Sequence, residues 1–579
     1  MTPPRERISY GGVLRRPLIA AAITFLLFAA LFFSLRGLPD LDSYYHLAVA
    51  RLYGSNGFVR GLPWTRFSIL GSRLGDKELL FHALLIPFAS STTAARIALA
   101  FLNAAIVALI GWIATRAAGV HAAWIGVWIY LSAGAFVFRT VRLRPELLAL
   151  LLLLAFVYLT ATRRPIGVAI VSALFALSYT AFHLIVALAI LFFIVDRKRD
   201  VQLIIASLIG VAIGVVVHPH FPDNLTMFWT QDVLFFLRKS ALDVGNEITA
   251  PDARDILLYN FGFWIGLAVL WAMRTKSAPP EDDAHPRVVF TTAAIVFTAM
   301  FLLMERMAIY AIPFIALAVL FQIREISPRA LAILAACVVI SAPWMIQAFK
   351  LTRDHVIDEE DFIAASRAIP PRAHVAATWG DAEALAYFAP QGRYLNALDP
   401  IFMAEFFPRQ FAAQRAIFDG AEPDIPFIAR NVLQSDTIAF RAGELPHDVV
   451  ERLRSDPRAR LLPGRGMFVV ALAGANDAFI SDWRIGAGRY MRNGYVDVTS
   501  AKAACVDATT TLRGGLYEFA PYGPASLLVD GVAQSTLSTE SRAILGHGKI
   551  ISIVGTHNVV VHTCRATTSP RNGFYLVRR

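Results

Sequence analysis

The 579-residue sequence predicts a polytopic α-helical membrane protein of about 11 spans, followed by a small α/β domain and a β-sandwich. Three observations predict this. The chain is 56% hydrophobic and only 17% charged, far from the usage of soluble globular domains. Apolar runs recur along its first 349 residues, each long enough, or nearly so, to cross a bilayer at about 1.5 Å per residue. Beyond them, helical and strand patterns alternate, and then short runs of β-formers take over between Gly and Asn turns.

The first element is an uncleaved span. Arg5, Arg7, Arg15 and Arg16 precede an apolar run over 17–36, and no small-x-small cleavage site follows it. This places the N-terminus in the cytoplasm. Further spans are expected at 92–114, 120–138, 146–161, 165–180, 182–195, 201–217, 257–273, 288–304, 307–323 and 330–348. The turns that would then be cytoplasmic all carry Arg or Lys: Arg116, Arg163 and Arg164, Arg197 to Arg199, Arg274, Lys276 and Arg287, and Arg324 and Arg329. An odd number of spans puts Lys350 to Arg579 outside. The expected parts are therefore 1–349, a transmembrane domain; 350–475, an extracytoplasmic α/β domain; and 476–579, an extracytoplasmic β-sandwich.

The net charge of +11 is uneven, with 29 Lys and Arg against 19 Asp and Glu before Lys350 and 25 against 24 from there on. An excess confined to the membrane half suits the positive-inside bias and anionic lipid, not nucleic acid. Of the three cysteines, Cys337 lies in an apolar run as a packed small residue. Cys505 and Cys564 can form a disulfide if their part of the chain is outside the cytoplasm.

Chemistry-bearing residues gather in the loops expected outside. "DLDSYYHLAVARLYG" follows the first span with Asp40, Asp42 and His46; Asp42 and His46 share one helix face at i,i+4. As a surface segment it reads as a capped helix start lying along the interface, with Tyr44 and Tyr45 as interfacial aromatics. The same loop adds Asp76, Lys77, Glu78 and His82. Such a set can supply a general base, or hold a divalent cation such as Mg²⁺ or Mn²⁺ on Asp42 and Asp76. Arg139, Arg142 and Arg144 break the charge trend in a short outside loop. Arg142 and Arg144 suit either a phosphate held in bidentate fashion or anchoring to lipid head groups. His218 and His220 end a span beside Pro219, as a helix end or as site residues, and Glu305 with Arg306 is either an ion pair or part of a site. The long loop "DVGNEITAPDARD" carries Glu247.

"DLDSYYHLAVARLYG" resembles the opening motif of the GT-C membrane glycosyltransferases, most nearly that of the catalytic subunit of oligosaccharyltransferases. "VRLRPELLALLLLL" is similar to the Arg-Pro-Asp/Glu entry to a span in GT-C mannosyltransferases, and "RMAIYAIPFIALAVL" resembles an Arg-containing late span. "DVGNEITAPDARD" looks like the oligosaccharyltransferase loop whose Glu positions the acceptor. The resemblance covers 17–348. It implies that Asp42 is the catalytic or metal-binding carboxylate, that Arg306 contacts the donor phosphate and that Glu247 sits on the acceptor loop. The loop residues themselves add Asp40, His46 and Asp76 in support of Asp42, and Arg142, Arg144 and His218 on the donor phosphate.

Two departures stand out. The second acidic motif of oligosaccharyltransferases is replaced by arginines beside Glu146, and the Trp-Trp-Asp-Tyr-Gly signature is reduced to Trp379, Gly380 and Asp381. The expected protein is a bacterial inner-membrane glycosyltransferase. It would move a sugar or oligosaccharide from a polyprenyl-phosphate-linked donor to a glycan, lipid or protein acceptor on the periplasmic side. The competing readings are a lipid or glycan flippase and a non-catalytic envelope assembly protein. The scarcity of mid-span charges and the lack of a visible inverted repeat weigh against a flippase.

Overall fold

The computed structural model describes residues 10–196, 200–238, 242, 246–273, 284–456, 458–462, 464–472, 483–485, 489–490, 495–498, 505–521, 524–537, 549–564 and 573–578. Arg5 and Arg7, the basic turns at 197–199 and 274–276, and residues 243–245 of the Glu247 loop lie outside the described residues. The chain forms two compact units. One holds residues 1–359 with 383–390 and 396–402; the other holds 360–382, 391–395 and 403–579.

Every apolar run read from the sequence carries helix. Four of these helices are long and apolar enough to cross a membrane: Leu14–Ser34, Thr92–Ala118, Ala284–Leu303 and the apolar stretch that begins at Pro328. Glu146–Ala161, Pro165–Ala176, His183–Val195, Val201–Val217 and Phe261–Ala272 are shorter and apolar, and Ala308–Leu320 is a further helix of 13 residues. Large apolar side chains on these helices face outward: Phe101, Ile166, Val217 and Val339 are 67–78% exposed. Water would make that costly and a lipid surface would not. The chain is a membrane protein.

Helix ends follow ordinary capping chemistry. Ser91 Oγ accepts from Ala94 N at 3.1 Å, and Ser327 Oγ from Ala330 N at 3.2 Å, with Pro328 in the first turn. Helix contact follows small residues. A Cβ on Gly210 would stand 2.2 Å from the Ala169 carbonyl oxygen, and one on Gly214 2.5 Å from that of Ala173. This glycine pair, one turn apart, lets Val201–Val217 lie directly on Pro165–Ala176.

The expected span over 120–138 is not one straight crossing. Val120–Ser132 and Gly134–Thr140 meet at 88°. The break is held by tertiary contacts: Gly134 N donates to the Tyr259 carbonyl at 2.7 Å, and Asn260 Oδ1 accepts from Ala135 N at 3.2 Å. The backbone at the bend is satisfied by a segment more than 120 residues away. The helix Asp42–Asn56 also differs from expectation. It is not an interfacial helix; Tyr44 and Tyr45 are buried at 0% and 2% exposure. Tyr44 Oη accepts from Leu38 N at 2.9 Å and donates to Glu359 Oε1 at 3.1 Å, so the later chain covers this helix.

In the second unit, β1 (His374–Ala376), β2 (Arg393–Tyr394), β3 (Thr437–Arg441), β4 (Ala459–Leu462) and β5 (Met467–Leu472) form a mixed sheet in the order β2-β1-β3-β5-β4. The pairs β1–β2 and β1–β3 are parallel, and β3–β5 and β4–β5 antiparallel. Ten further strands follow: β6 (Arg484–Ile485), β7 (Arg489–Tyr490), β8 (Tyr495–Asp497), β9 (Cys505–Leu512), β10 (Gly515–Pro521), β11 (Ala525–Val529), β12 (Val532–Leu537), β13 (Lys549–Ile553), β14 (His557–Cys564) and β15 (Gly573–Arg578). They make two antiparallel sheets, β13-β10-β15-β8-β7 and β12-β11-β14-β9-β6. Inward residues of both sheets, Val496, Phe519 and Leu576 from one and Ala508, Val559 and Val561 from the other, share a single core. Burial alternates along β9 and β14 with the period of two that a half-buried strand requires. Cys505 and Cys564 are cross-strand partners there and form a disulfide.

Candidate active site

Asp40 begins the site by capping a helix. Its Oδ1 accepts from Ser43 N at 3.2 Å and from Ser43 Oγ. Ser43 Oγ in turn accepts from Leu143 N at 3.1 Å, which joins the first loop to the arginine loop 100 residues later. The 88° bend sets that loop's direction. Asn103 Nδ2 holds its start through the Thr140 carbonyl at 3.0 Å.

Arg144 therefore projects among carboxylates. Its Nε donates to Asp40 Oδ2, its Nη2 lies 3.1 Å from Asp42 Oδ2, and its Nη1 donates to Glu247 Oε2 at 2.9 Å. Arg139 Nη2 donates to Glu247 Oε2 at 3.1 Å, and Arg142 Nη1 donates to Glu247 Oε1. Arg306 Nη2 donates to Glu146 Oε1 at 2.7 Å, and Arg139 lies 3.6 Å from the same oxygen. Thus Asp40, Asp42, Arg142, Arg144 and Glu247 form one network, and Arg306 joins its edge through Glu146. The buried Nε of Arg306 has no hydrogen-bond partner among the described residues.

The members differ in freedom. The side chain of Asp40 is 9% exposed and that of Asp42 26%. Burial pushes the Asp42 carboxyl up; Arg144 opposes this, while Asp40 and Glu247 add to it. Burial also acts to raise Glu247, but the Arg139, Arg144 and Arg142 charges outweigh it and hold this carboxyl well below the usual range. Glu383 lies fully buried beside Asp42. Burial first, and then the Asp42 charge, lift it well above the usual range. The sequence reading missed Glu383. Its available signal was an acid on the largely apolar helix Trp379–Phe388. Arg139, noted in the sequence but not assigned to the site, belongs to the network as well.

Asp76 and His46 form a second, adjacent group. Asp76 Oδ2 accepts from Tyr53 Oη at 2.7 Å and pairs with His82 Nδ1 at 2.8 Å. His82 Nε2 meets His46 Nδ1 at 2.9 Å. Burial lowers His46 well below the usual imidazole range, with His82 and Arg144 adding to it, so His46 is neutral at neutral pH. Asp76 is held below the usual carboxylate range: burial works to raise it, but His82 and the Tyr53 hydrogen bond prevail. His218 does not join the arginines. It donates from Nε2 to the Asp76 carbonyl at 2.7 Å and accepts at Nδ1 from His220 N at 3.1 Å, which leaves no ring nitrogen for a phosphate. Asp42 and Asp76 fall in different groups, Asp42 against Arg144 and Asp76 against Tyr53 and His82. The ligand atoms of His46, Glu78 and His82 do lie within 4.8 Å of one another, in full burial, and these residues could hold a metal ion. Asp381, from the Trp-Gly-Asp fragment, pairs with Arg441 Nε at 2.5 Å in the second unit.

No protein-family profile matches the chain, and no curated protein sequence does. Solved structures do match. ArnT from Cupriavidus metallidurans, 12% identical, aligns over 78% of this chain and 97% of its own length with a TM-score of 0.50. The fold is that of the GT-C glycosyltransferases. The Archaeoglobus fulgidus oligosaccharyltransferase in its apo form aligns at 12% identity over 73% of this chain and 69% of its own, with a TM-score of 0.48. Arabinosyltransferase EmbB from Mycobacterium smegmatis aligns at 12% identity over 97% of this chain and 64% of its own, with a TM-score of 0.33. The GT-C fold rests on the first of these. On this fold the acid–arginine network is drawn from the loops that follow the first apolar helix, the bent helix pair and the helix Val201–Val217, and from the turn before Ala308–Leu320.

Proposed function

We propose that the protein is an integral membrane glycosyltransferase. It transfers a sugar or oligosaccharide from a polyprenyl-phosphate-linked donor to a glycan, lipid or protein acceptor at the extracytoplasmic face of a bacterial inner membrane. In this reading the chain works in three parts, 1–349 in the membrane, 350–475 as an α/β domain and 476–579 as a β-sandwich, the last two outside.

The observation that carries the reading is the division of labour between two neighbouring carboxylates. Asp40 is spent on capping and on Arg144, while Asp42 keeps a side chain 26% exposed inside an arginine cluster. A carboxyl raised by burial is a better base than an ordinary one, and it is suited to taking a proton from an acceptor hydroxyl or amide. The leaving polyprenyl phosphate gains charge as the glycosidic bond breaks. Fixed guanidinium groups stabilise that charge in the transition state more than in the ground state. Arg306, with an unpartnered Nε, has the donor capacity for this, and Arg142 and Arg144 extend it. The acceptor must reach the sugar carbon from the side opposite the phosphate, so Asp42 and the phosphate-binding edge work from two sides. Asp76, His82 and His46 support the helix that carries Asp42 and are not the base. Glu247 caps the arginines from the acceptor loop.

The test is transfer by the purified chain in lipid nanodiscs, supplied with a panel of polyprenyl-phosphate-linked sugars and cell-envelope glycan acceptors. A product that depends on Asp42 supports the reading. Absence of transfer from every donor, with the protein folded and binding polyprenyl phosphate, overturns it.

A further inference from the structure

A divalent cation in this centre would need Asp40, Asp42 and Glu247 as its oxygen ligands, and the residues present do not fit it. Each of the three carboxylates is already engaged by a different nitrogen of a single guanidinium: Nε of Arg144 on Asp40, Nη2 on Asp42 at 3.1 Å and Nη1 on Glu247 at 2.9 Å. Glu247 is further neutralised by Arg139 and Arg142, and Glu146 by Arg306 and Arg139. Four carboxylates thus face four guanidiniums. Among these eight paired groups a cation of charge two would find no negative charge left over, and it would stand against buried like charge.

We infer that Arg144 is the built-in cation of this centre: it gathers Asp40, Asp42 and Glu247 as a divalent ion would, and the protein acts without one. The inference deepens the proposed function and rests on it for its catalytic meaning, but the ion binding it predicts does not depend on turnover. A guanidinium differs from a metal in two respects that matter here. It has a fixed planar fork of donors, so it sets the directions of three carboxylates at once. It also cannot be removed by a chelator. The arrangement carries a corollary: deleting the guanidinium frees Asp40 and Asp42 and takes away one of the three cations on Glu247, which leaves hard-oxygen ligands for Mn²⁺ or Mg²⁺ at the vacated position.

The experiment is Mn²⁺ binding followed by electron paramagnetic resonance, on chelator-treated full-length protein in detergent. Wild type, Arg144→Ala, Asp42→Asn and the double variant Arg144→Ala with Asp42→Asn are compared. Wild-type protein should bind no Mn²⁺ that Asp42→Asn abolishes. Arg144→Ala should gain one site at least about tenfold tighter than any such wild-type binding, without imidazole nitrogen coupling, and the double variant should lose it. The coupling criterion separates this site from His46, Glu78 and His82. Wild-type Mn²⁺ binding that disappears in Asp42→Asn overturns the inference, and that arm stands even if Arg144→Ala does not fold. A folded Arg144→Ala protein that gains no site also overturns it. Failure of the proposed function would show separately, as absent transfer from any polyprenyl-phosphate sugar by a protein whose Mn²⁺ binding follows the predicted pattern.

Discussion

Asp42 and Arg144 stand 3.1 Å apart, so the charge of Arg144 bears on the protonation of Asp42. Burial raises the Asp42 carboxyl and Arg144 pulls it back. As a base it must be ionised, so the transfer rate should fall on the acid side through a value above the ordinary carboxylate range. Arg144→Gln removes the opposing charge, and the acid limb of the pH–rate profile should move to higher pH; a limb that stays in place would remove Asp42 from the base role. The stability sign follows from the same shift. A folded-state value raised above the unfolded one stabilises the fold while the group is protonated, and that stability is lost as pH rises through the folded value. Asp42→Asn should therefore raise the thermal unfolding temperature at neutral pH while it removes activity, as expected of a residue kept for function at some cost in stability.

Glu383 gives a complementary case. Its carboxyl is lifted well above the usual range, which favours the protonated form, and Glu383→Gln, which mimics that form, should leave transfer and folding nearly intact. Glu383→Ala, which leaves a buried gap beside Asp42, should lose about 1–3 kcal/mol of stability in thermal or denaturant unfolding. Equal damage from the two substitutions would show that an ionised Glu383 is needed. Asp42 was legible in the sequence because acids directly after an apolar span are conspicuous. Glu383 was not, because its neighbour Asp42 is more than 300 residues away and only the folded chain brings them together.

Among the elements, the helices were legible and their breaks were not. Apolar length alone locates a helix. The 88° turn between Val120–Ser132 and Gly134–Thr140 depends on backbone and side-chain groups of Tyr259 and Asn260, which local patterning does not report. The turn is also what sends Arg139, Arg142 and Arg144 toward Glu247. A Cβ on Gly134 would stand 2.7 Å from the Tyr259 carbonyl oxygen, so Gly134→Val should disturb the arginine loop and reduce transfer. The glycine pair of Val201–Val217 offers a control remote from the arginines. Gly210→Leu should destabilise the protein by about 1–3 kcal/mol through overpacking against Pro165–Ala176, read as a lower unfolding temperature in detergent. Activity normalised to folded protein should stay near wild type in that variant. The burial of Asp42–Asn56 was likewise hidden, since its cover comes from residues such as Glu359 and Tyr387 that a local reading assigns to a separate part of the chain.

At the scale of the whole molecule, the account requires the N-terminus and the C-terminal strands to lie on opposite sides of the membrane. Cys505 and Cys564 report this directly. After mild reduction, a membrane-impermeant maleimide should label them in intact spheroplasts, whereas the buried Cys337 stays unlabelled. Labelling that appears only after lysis would reverse the sidedness. The strands after residue 483 were legible from short runs of β-formers between Gly and Asn turns, and the mixed sheet before them from alternating helix and strand runs; how segments 383–390 and 396–402 return to the first unit was not. The measurement that tests the central claim most directly compares wild type with Asp42→Asn in nanodiscs, reading polyprenyl-phosphate binding and sugar transfer on the same samples. The account predicts unchanged binding with transfer reduced by about 10²–10⁴-fold. Transfer at the wild-type rate in the Asp42→Asn protein would contradict it.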